Sequence, residues 1–251
     1  MENFRRNWDR IFSPLVYLDE LHRTKEVRTA IWSSPPAGGM RALIAEFLLT
    51  AGVPVLGMQH GGGYIVQDCG KVHFDSDFSR CTHFLTYGFT GADAAAAYPD
   101  GEFCCQFIPV GSPKEDKRRG KKTRRGKIKL LYLMANSLSC FADAYRANAY
   151  YLYECQKEII GYIDALTEVS ACIKPIPNYN QENCATGELF NSLENARLIE
   201  DLTFVDCLDF YDIESVIMDY PSTPLFEAVG RDVDIFLMKD PVLPFTGEAM
   251  T

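Results

Sequence analysis

Long apolar runs are missing from this 251-residue chain. No stretch approaches the roughly 18 consecutive apolar residues that a membrane-spanning helix needs. The N-terminus, MENFRRNWDR, is too polar to be the apolar core of a signal peptide. The sequence therefore gives no indication of a membrane span or of secretion, and we expect a cytoplasmic protein.

Paired cysteines are also missing. The chain has nine cysteines, an odd number, and none of them forms a CxxC pair. This pattern argues against a zinc ribbon or a thioredoxin-type redox site. In a chain of this length without a signal peptide we expect reduced thiols, several of them in the core.

Three familiar motifs are absent: the GxGxxG dinucleotide fingerprint, the phosphate-binding GxxxxGK[ST] loop and the GxSxG nucleophile elbow. Their absence removes the usual sequence support for a nicotinamide enzyme, a P-loop nucleotidase or a serine hydrolase. With 47% apolar and 24% charged residues, the composition is that of a globular protein with a sizeable core.

Charge is unevenly distributed. Residues 114–129 contain ten Lys or Arg and two acidic residues, in a chain whose formal net charge is −9. An acidic protein with one basic segment does not have the composition of a general nucleic-acid binder. The polar, glycine-punctuated part of this segment predicts an exposed linker over residues 112–127. It separates a unit at residues 1–111 from a unit at residues 128–251.

Short, continuous apolar runs alternate with helical patterns in both units, which is typical of parallel sheets covered on both faces. The sequence therefore predicts an α/β protein with two Rossmann-like units. The strands predicted in the first unit lie at residues 28–34, 53–59, 82–88 and 105–111. Those predicted in the second lie at residues 127–135, 169–177, 203–208, 215–220 and 234–238, with helices at 141–166, 186–200 and 221–232.

Both units are predicted to be incomplete, because doubly wound domains usually have five or six strands. An incomplete first unit would expose apolar sheet surface, so we expect the chain to form homo-oligomers.

One candidate site follows the second predicted strand, in the sequence QHGGGY. His60 is a candidate general base near neutral pH. Gly61, Gly62 and Gly63 would let a ligand approach the backbone closely, and Tyr64 follows them. The alternative is a glycine-rich turn with a histidine that only packs, and the pattern alone does not decide between the two.

A second candidate site follows the strand at residues 215–220, in the sequence DYPSTPLFEAV. Ser222 or Thr223 is placed to cap a helix whose free N–H groups would bind phosphate, and Glu227 could accept a ribose hydroxyl. The alternative is an ordinary capped helix. Lys174, at the end of another strand, is an auxiliary anion contact or a solvated lysine.

These segments, in this order, resemble bacterial surface-carbohydrate transferases of the GT-B type. QHGGGY, THFLTYG, KIKLLYLMANS and DYPSTPLFEAV carry the resemblance. The sequence is most similar to a family of transferases from leptospiral surface-polysaccharide clusters, which has a QHGGxYG motif. It is more distantly similar to CDP-glycerol glycerophosphotransferases. Ile65 departs from the motif, because the family tends to have glycine there.

The resemblance implies two Rossmann-like domains, with a nucleotide-diphosphate donor bound mainly by the second. His60 would be the catalytic base, and Gly61, Gly62, Gly63 and Tyr64 would line the substrate site. Ser222, Thr223 and Glu227 would hold donor phosphate and ribose, with Lys174 as an auxiliary contact. The resemblance implies no bound cofactor or metal, and a glycan or lipid-linked acceptor.

The resemblance also suggests a role for the basic linker, which would touch anionic lipid or polymer at the inner face of the cytoplasmic membrane. The alternative for the linker is a solvated loop. Two further hypotheses stay open for the protein itself. One is a non-catalytic binding or partner protein derived from this fold, and the other is nucleic-acid binding through residues 114–129.

Overall fold

A computed structural model describes residues 2–24, 27–32, 39–61, 63–67, 73–112, 126–135, 149–175, 184–239 and 245–246. The chain divides into two compact units, the first of residues 1–60 and 69–113, and the second of residues 61–68 and 114–251. Residues 61–68, which the sequence-based division assigns to the first unit, thus belong to the second. Most of the predicted linker lies outside the described residues.

The first unit contains a four-stranded parallel sheet in the order β1-β2-β3-β4. Its strands are β1 (Ala30–Ile31), β2 (Val55–Met58), β3 (His83–Thr86) and β4 (Gln106–Pro109). Its helices are α1 (Glu2–Arg23), α2 (Gly39–Thr50), α3 (Gly91–Ala97) and a five-residue π-helix, Phe74–Phe78. Each predicted strand of this unit contains one of these observed strands.

Aromatic rings form much of the core of the first unit. Phe78 lies edge-on to both Phe84 and Phe107, with ring centroids 4.9 and 5.0 Å apart. Phe74 fills the space beside Gly101, where an added Cβ would lie 2.0 Å from the Phe74 ring. Gly101 is therefore required for packing, because any side chain there would displace the Phe74 ring.

The second unit contains a five-stranded parallel sheet in the order β7-β6-β5-β8-β9. Its strands are β5 (Gly126–Leu133), β6 (Ala171–Lys174), β7 (Arg197–Leu198), β8 (Tyr211–Met218) and β9 (Asp234–Leu237). The chain starts in the centre, builds outward to β7, and then continues on the other side of β5. The switch in direction lies between β5 and β8, where open α/β sheets bind their ligands.

Helices cover both faces of this second sheet, as the continuous apolar strands predict. They are α4 (Ala149–Asp164), α5 (Cys184–Asn191), α6 (Phe204–Phe210) and α7 (Thr223–Val229). Ile163 and Phe190 of α4 and α5 pack on one face, and Phe204 and Leu225 of α6 and α7 pack on the other. Cys172 and Cys207 are buried free thiols, as expected.

Two predicted elements of the second unit are wrong. Residues 203–208 form the start of α6 and not a strand, because Thr203 and Asp206 make a reciprocal capping box at the helix N-terminus. The predicted helix 186–200 ends at Asn191, and β7 follows within its range. A short apolar run is compatible with both a helix and a strand, and at residues 203–208 the capping box favours the helix.

Asp164 explains why the chain turns before β7. Its carboxylate accepts hydrogen bonds from the backbone N–H groups of Glu194, Asn195 and Ala196, at 2.7 to 3.1 Å. These bonds fix the loop between α5 and β7 to the last residue of α4. Burial raises the pKa of the Asp164 carboxyl, but the three backbone hydrogen bonds outweigh it and the net pKa is lowered.

Residues 65–67 are held in the second unit by residues 245–246. Gln67 forms an antiparallel bridge with Phe245. The backbone N–H of Thr246 donates to the Val66 carbonyl at 2.9 Å, and its hydroxyl donates to the Ile65 carbonyl. The Val66 side chain packs against the core of the second unit. We call residues 65–67 with residues 245–246 the clasp.

The clasp holds Ile65 in the left-handed backbone region, with φ of 57°. Among the described residues Ile65 is the one non-glycine residue with positive φ. This conformation is strained for a β-branched side chain and suits glycine. A glycine at this position would therefore avoid the strain.

Within the described part of the chain, no helix has the length and apolar character required to cross a bilayer.

Replacing Asp164 with alanine should lower the free energy of unfolding by about 1–3 kcal/mol at pH 7, because three backbone donors lose their acceptor. The lowered folded-state pKa means that this stabilisation is present above the unfolded value near 4 and is lost as pH falls below it. Denaturant unfolding of both proteins between pH 7 and pH 3 tests this. A stability difference that stays constant over that range would contradict it.

At position 65, glycine should be more stable than alanine by up to about 1 kcal/mol, because only glycine avoids the left-handed penalty. Both Ile65→Gly and Ile65→Ala remove the same packing, so their difference isolates the backbone. At the neighbouring Val66 the order should reverse, since alanine restricts the unfolded chain. Thermal unfolding of the four variants measures both differences. The same order at both positions would show that Ile65 is not strained.

Candidate functional site

The first predicted site begins at the carboxyl end of β2. Gln59 is fully buried there. Its backbone N–H donates to the Leu85 carbonyl at 2.8 Å, and its side-chain oxygen accepts the Tyr87 N–H at 2.7 Å. These bonds join the ends of β2 and β3. His60 comes next and is exposed, so a fixed backbone presents an accessible imidazole.

The charge of His60 acts on a second histidine of the first unit, His73, whose pKa it helps to lower. Burial, and to a lesser degree the charge of His60, lower the pKa of His73 to about 3. Its Nδ1 lies 3.3 Å from the Tyr98 hydroxyl, and its ring packs against Phe78. His73 is therefore neutral at physiological pH and is part of the packed interior of the first unit.

The fold does not require glycine at positions 61 and 63. Gly61 and Gly63 have no positive φ, an added Cβ on Gly61 would meet nothing within 4 Å, and one on Gly63 would make ordinary contacts at 3.4 Å. Gly57 in β2 differs, because a Cβ there would lie 2.5 Å from the Cys81 sulfur. Gly62 lies outside the described residues. Tyr64 is buried, with 2% of its surface exposed, and its ring anchors the segment.

Two segments that the sequence treats as separate sites meet within the second unit. A Cβ placed on Gly63 would lie 3.4 Å from the Tyr220 hydroxyl and 3.8 Å from the Pro221 carbonyl. The glycine segment is thus next to the DYPST segment, which follows β8. The spacing of the two segments in the sequence does not predict this proximity.

Ser222 and Thr223 lie at the start of α7, and Glu227 lies one turn further along that helix. Ser222 is the N-cap residue, but its side chain makes no capping hydrogen bond. Pro224 lies in the first turn, as expected. All three predicted residues are partly exposed, and Leu225 and Ala228 anchor the helix in the core. With seven residues, α7 is short, so its side chains matter more than its dipole.

Lys174 is buried at the carboxyl end of β6, with 5% of its surface exposed. Its Nζ donates to the Pro175 carbonyl at 3.1 Å. Burial lowers the pKa of this amine, while Cys207 and the acidic side chains of Asp201 and Glu200 raise it. A lysine in this environment would gain from an anionic ligand, because the ligand would stabilise its charged form.

The residue that sequence analysis missed is Asp219, which is buried directly after β8 at the switch in strand direction. Its carboxylate accepts hydrogen bonds from the Tyr132 hydroxyl at 3.0 Å, the Ala135 N–H at 2.7 Å and the Gln156 amide at 2.7 Å. Its place after an apolar strand was the available signal. Its partners lie 63 to 87 residues away and have no local pattern.

Among the described residues, no group of three or more His, Cys, Asp or Glu side chains is arranged to hold a metal ion.

The fold is similar to that of a UDP-N-acetylglucosamine 2-epimerase from Rickettsia bellii, with a TM-score of 0.53 and 10% identity over 94% of this chain and 66% of that one. A Neisseria meningitidis UDP-GlcNAc 2-epimerase bound to UDP-GlcNAc matches with a TM-score of 0.49 and 9% identity, over 82% and 58%. An S. aureus MnaA structure with UDP matches with a TM-score of 0.48 and 11% identity, over 84% and 57%.

The chain spans less than two thirds of the length of each of these structures. At this identity the Rickettsia structure supports the fold alone, which is α/β with two parallel sheets and GT-B-like, as predicted. Comparison with curated protein sequences gave no significant match. The sequence model described as LIC12162 family transferase matches residues 11–233. The chain therefore belongs to the LIC12162 family of transferases.

Proposed function

We propose that this transferase moves a sugar or polyol-phosphate group from a nucleotide-activated donor during surface polysaccharide biosynthesis. The match to a transferase family over residues 11–233 carries the proposal. The strand order of the second unit adds support, because it puts a switch point between β5 and β8.

In this proposal the second unit binds the donor. The hydroxyls of Ser222 and Thr223 hold its phosphates, Glu227 accepts a ribose hydroxyl, and the Lys174 amine supplies a positive charge. Gly61, Gly62 and Gly63 allow phosphate oxygens close to the backbone, and Tyr64 anchors that segment. The donor is a substrate, and the chemistry requires no resident cofactor.

His60 is the proposed general base. Its imidazole takes the proton from an acceptor hydroxyl as that oxygen bonds to the transferred group. The bond to the nucleotide breaks, and the departing phosphate keeps the electron pair. Hydrogen bonds from Ser222 and Thr223 and the charge of Lys174 stabilise the developing negative charge. The acceptor in this proposal is a glycan or a lipid-linked acceptor at the inner membrane face.

The first test is thermal unfolding with a panel of nucleoside diphosphates and monophosphates carrying uridine, cytidine, guanosine or thymidine. A ligand at 100 times its Kd stabilises the folded state by about 2.7 kcal/mol, which raises the Tm by several degrees in a chain of this size. A shift with one base supports the donor site and identifies the donor class. Cooperative melting with no shift would instead support the non-catalytic hypothesis.

Once the base is known, His60→Gln should keep nucleotide affinity within about twofold and reduce transfer by about 100-fold or more, the usual contribution of a general base. Release of nucleotide from the matching donor, in the presence of acceptor, measures transfer. His22→Gln, in helix α1, is the matched control and should leave both quantities unchanged. Full transfer activity in the His60 variant would exclude this histidine as the base.

Gly61→Ala and Gly63→Ala should leave the Tm within a few degrees, because a methyl fits at both positions. Both should lower nucleotide affinity by about tenfold, since the methyl would occupy space that the proposal gives to the ligand. Gly161→Ala in helix α4, where a Cβ also meets nothing within 4 Å, is the control and should not change affinity. Titration calorimetry measures the nucleotide affinity of each variant. Unchanged affinity in all three variants would exclude Gly61 and Gly63 from the site.

A further inference from the structure

Asp219 is buried at the switch point of the second sheet, and the proposed transfer reaction does not use it. It is 4% exposed and lies between the end of β8 and the Tyr220–Ser222 turn. The Ser222 N–H closes that turn on the Tyr220 carbonyl at 2.9 Å. A buried carboxylate is costly unless several donors satisfy it, so its surroundings indicate what it holds in place.

The three donors to Asp219 come from different places in the fold. Tyr132 belongs to β5, Gln156 belongs to α4, and Ala135 lies where the chain leaves β5. Gln156 also donates to the Ala135 carbonyl at 3.0 Å. Both polar groups of Ala135 are therefore held, its N–H by Asp219 and its carbonyl by Gln156. One side chain thus joins both central strands and a covering helix.

The arrangement requires a carboxylate and not an amide. Three donors point at the two oxygens of Asp219, and an asparagine would offer one oxygen and would place an N–H₂ group against a donor. Burial raises the pKa of the Asp219 carboxyl, and the hydrogen bonds from Gln156, Ala135 and Tyr132 offset only part of that rise. All three partners donate, so the network needs a side chain at position 219 that accepts hydrogen bonds through both of its polar atoms.

The Tyr220–Ser222 turn follows directly from this fixed point. Tyr220 and Pro221 contact the position of Gly63, and Ser222 caps α7. A shift of the Asp219 main chain would therefore move the proposed phosphate ligands and the wall that faces the glycine segment. The Ala135 peptide would move with it, on the other side of the switch point.

We propose that Asp219 is a positioning residue for nucleotide binding, which acts by fixing the Ala135 peptide and the Tyr220–Ser222 turn across the β5–β8 edge. This inference rests on the proposed function, because it assumes that a nucleotide binds at this edge. Asp219 itself would not touch the nucleotide.

The test is calorimetric titration of the full chain and its variants with UDP, CDP, GDP and TDP, at a temperature where each protein is fully folded. Asp219→Asn should weaken the best-binding nucleotide by tenfold or more. Ile163→Ala, a cavity variant in the buried face of α4, is the control for lost stability, and its affinity should stay within twofold. Asp212→Asn, an exposed acid at the start of β8, controls for lost charge.

Tyr132→Phe removes one donor and keeps the other two. We therefore expect its nucleotide affinity to lie between that of wild type and that of Asp219→Asn. If Asp219→Asn does not fold, the nucleotide affinity of Tyr132→Phe is compared with that of Ile163→Ala in its place. Equal affinity in wild type and the network variants, or an equal loss in Ile163→Ala, would overturn the positioning role alone. Absence of binding by wild type to all four nucleotides would overturn the proposed function and this inference with it.

Discussion

The constraint on which the second unit depends is the satisfaction of one buried carboxylate. Asp219 can be buried because Tyr132, Ala135 and Gln156 all donate to it. Each donor that is removed leaves the buried carboxylate with fewer hydrogen bonds to offset its burial, and so is expected to lower the stability of the unit. The β5–β8 pair, helix α4 and the turn before α7 are therefore coupled at one point. The candidate site lies on that same edge.

Much of the fold could be predicted from the sequence because strands buried on both faces are continuous apolar runs. KIKLLYLMA and THFLTYG are of this kind, and each overlaps an observed strand. The run TFVDCL is as apolar, yet it begins a helix, because the Thr203–Asp206 capping box outweighs strand propensity. Strand β7 was missed because it is two residues long and depends on the Asp164 loop contacts.

The candidate site was less accessible to sequence reasoning, for a different physical reason. The motifs around His60 and Ser222 could be found as strand-end segments, since ligands bind at the carboxyl ends of parallel strands. The proximity of Gly63 to Tyr220 depends on the clasp and on tertiary packing, which no local pattern encodes. The role of Asp219 likewise depends on partners far away in sequence. A family resemblance supplied the order of the motifs but not this geometry.

The clasp has a consequence for how the chain folds during synthesis. The hydrogen bond from Thr246 to Ile65 closes a separation of 181 residues. At roughly 5–20 residues per second, translation delivers Thr246 on the order of 10–40 s after Ile65. Once β4 has been synthesised, the first unit has all its strands, while residues 65–67 still lack the partners at residues 245–246 that hold them in the folded chain. The second unit, and with it the candidate site, can therefore be completed only after Thr246 has been synthesised, 181 residues after Ile65.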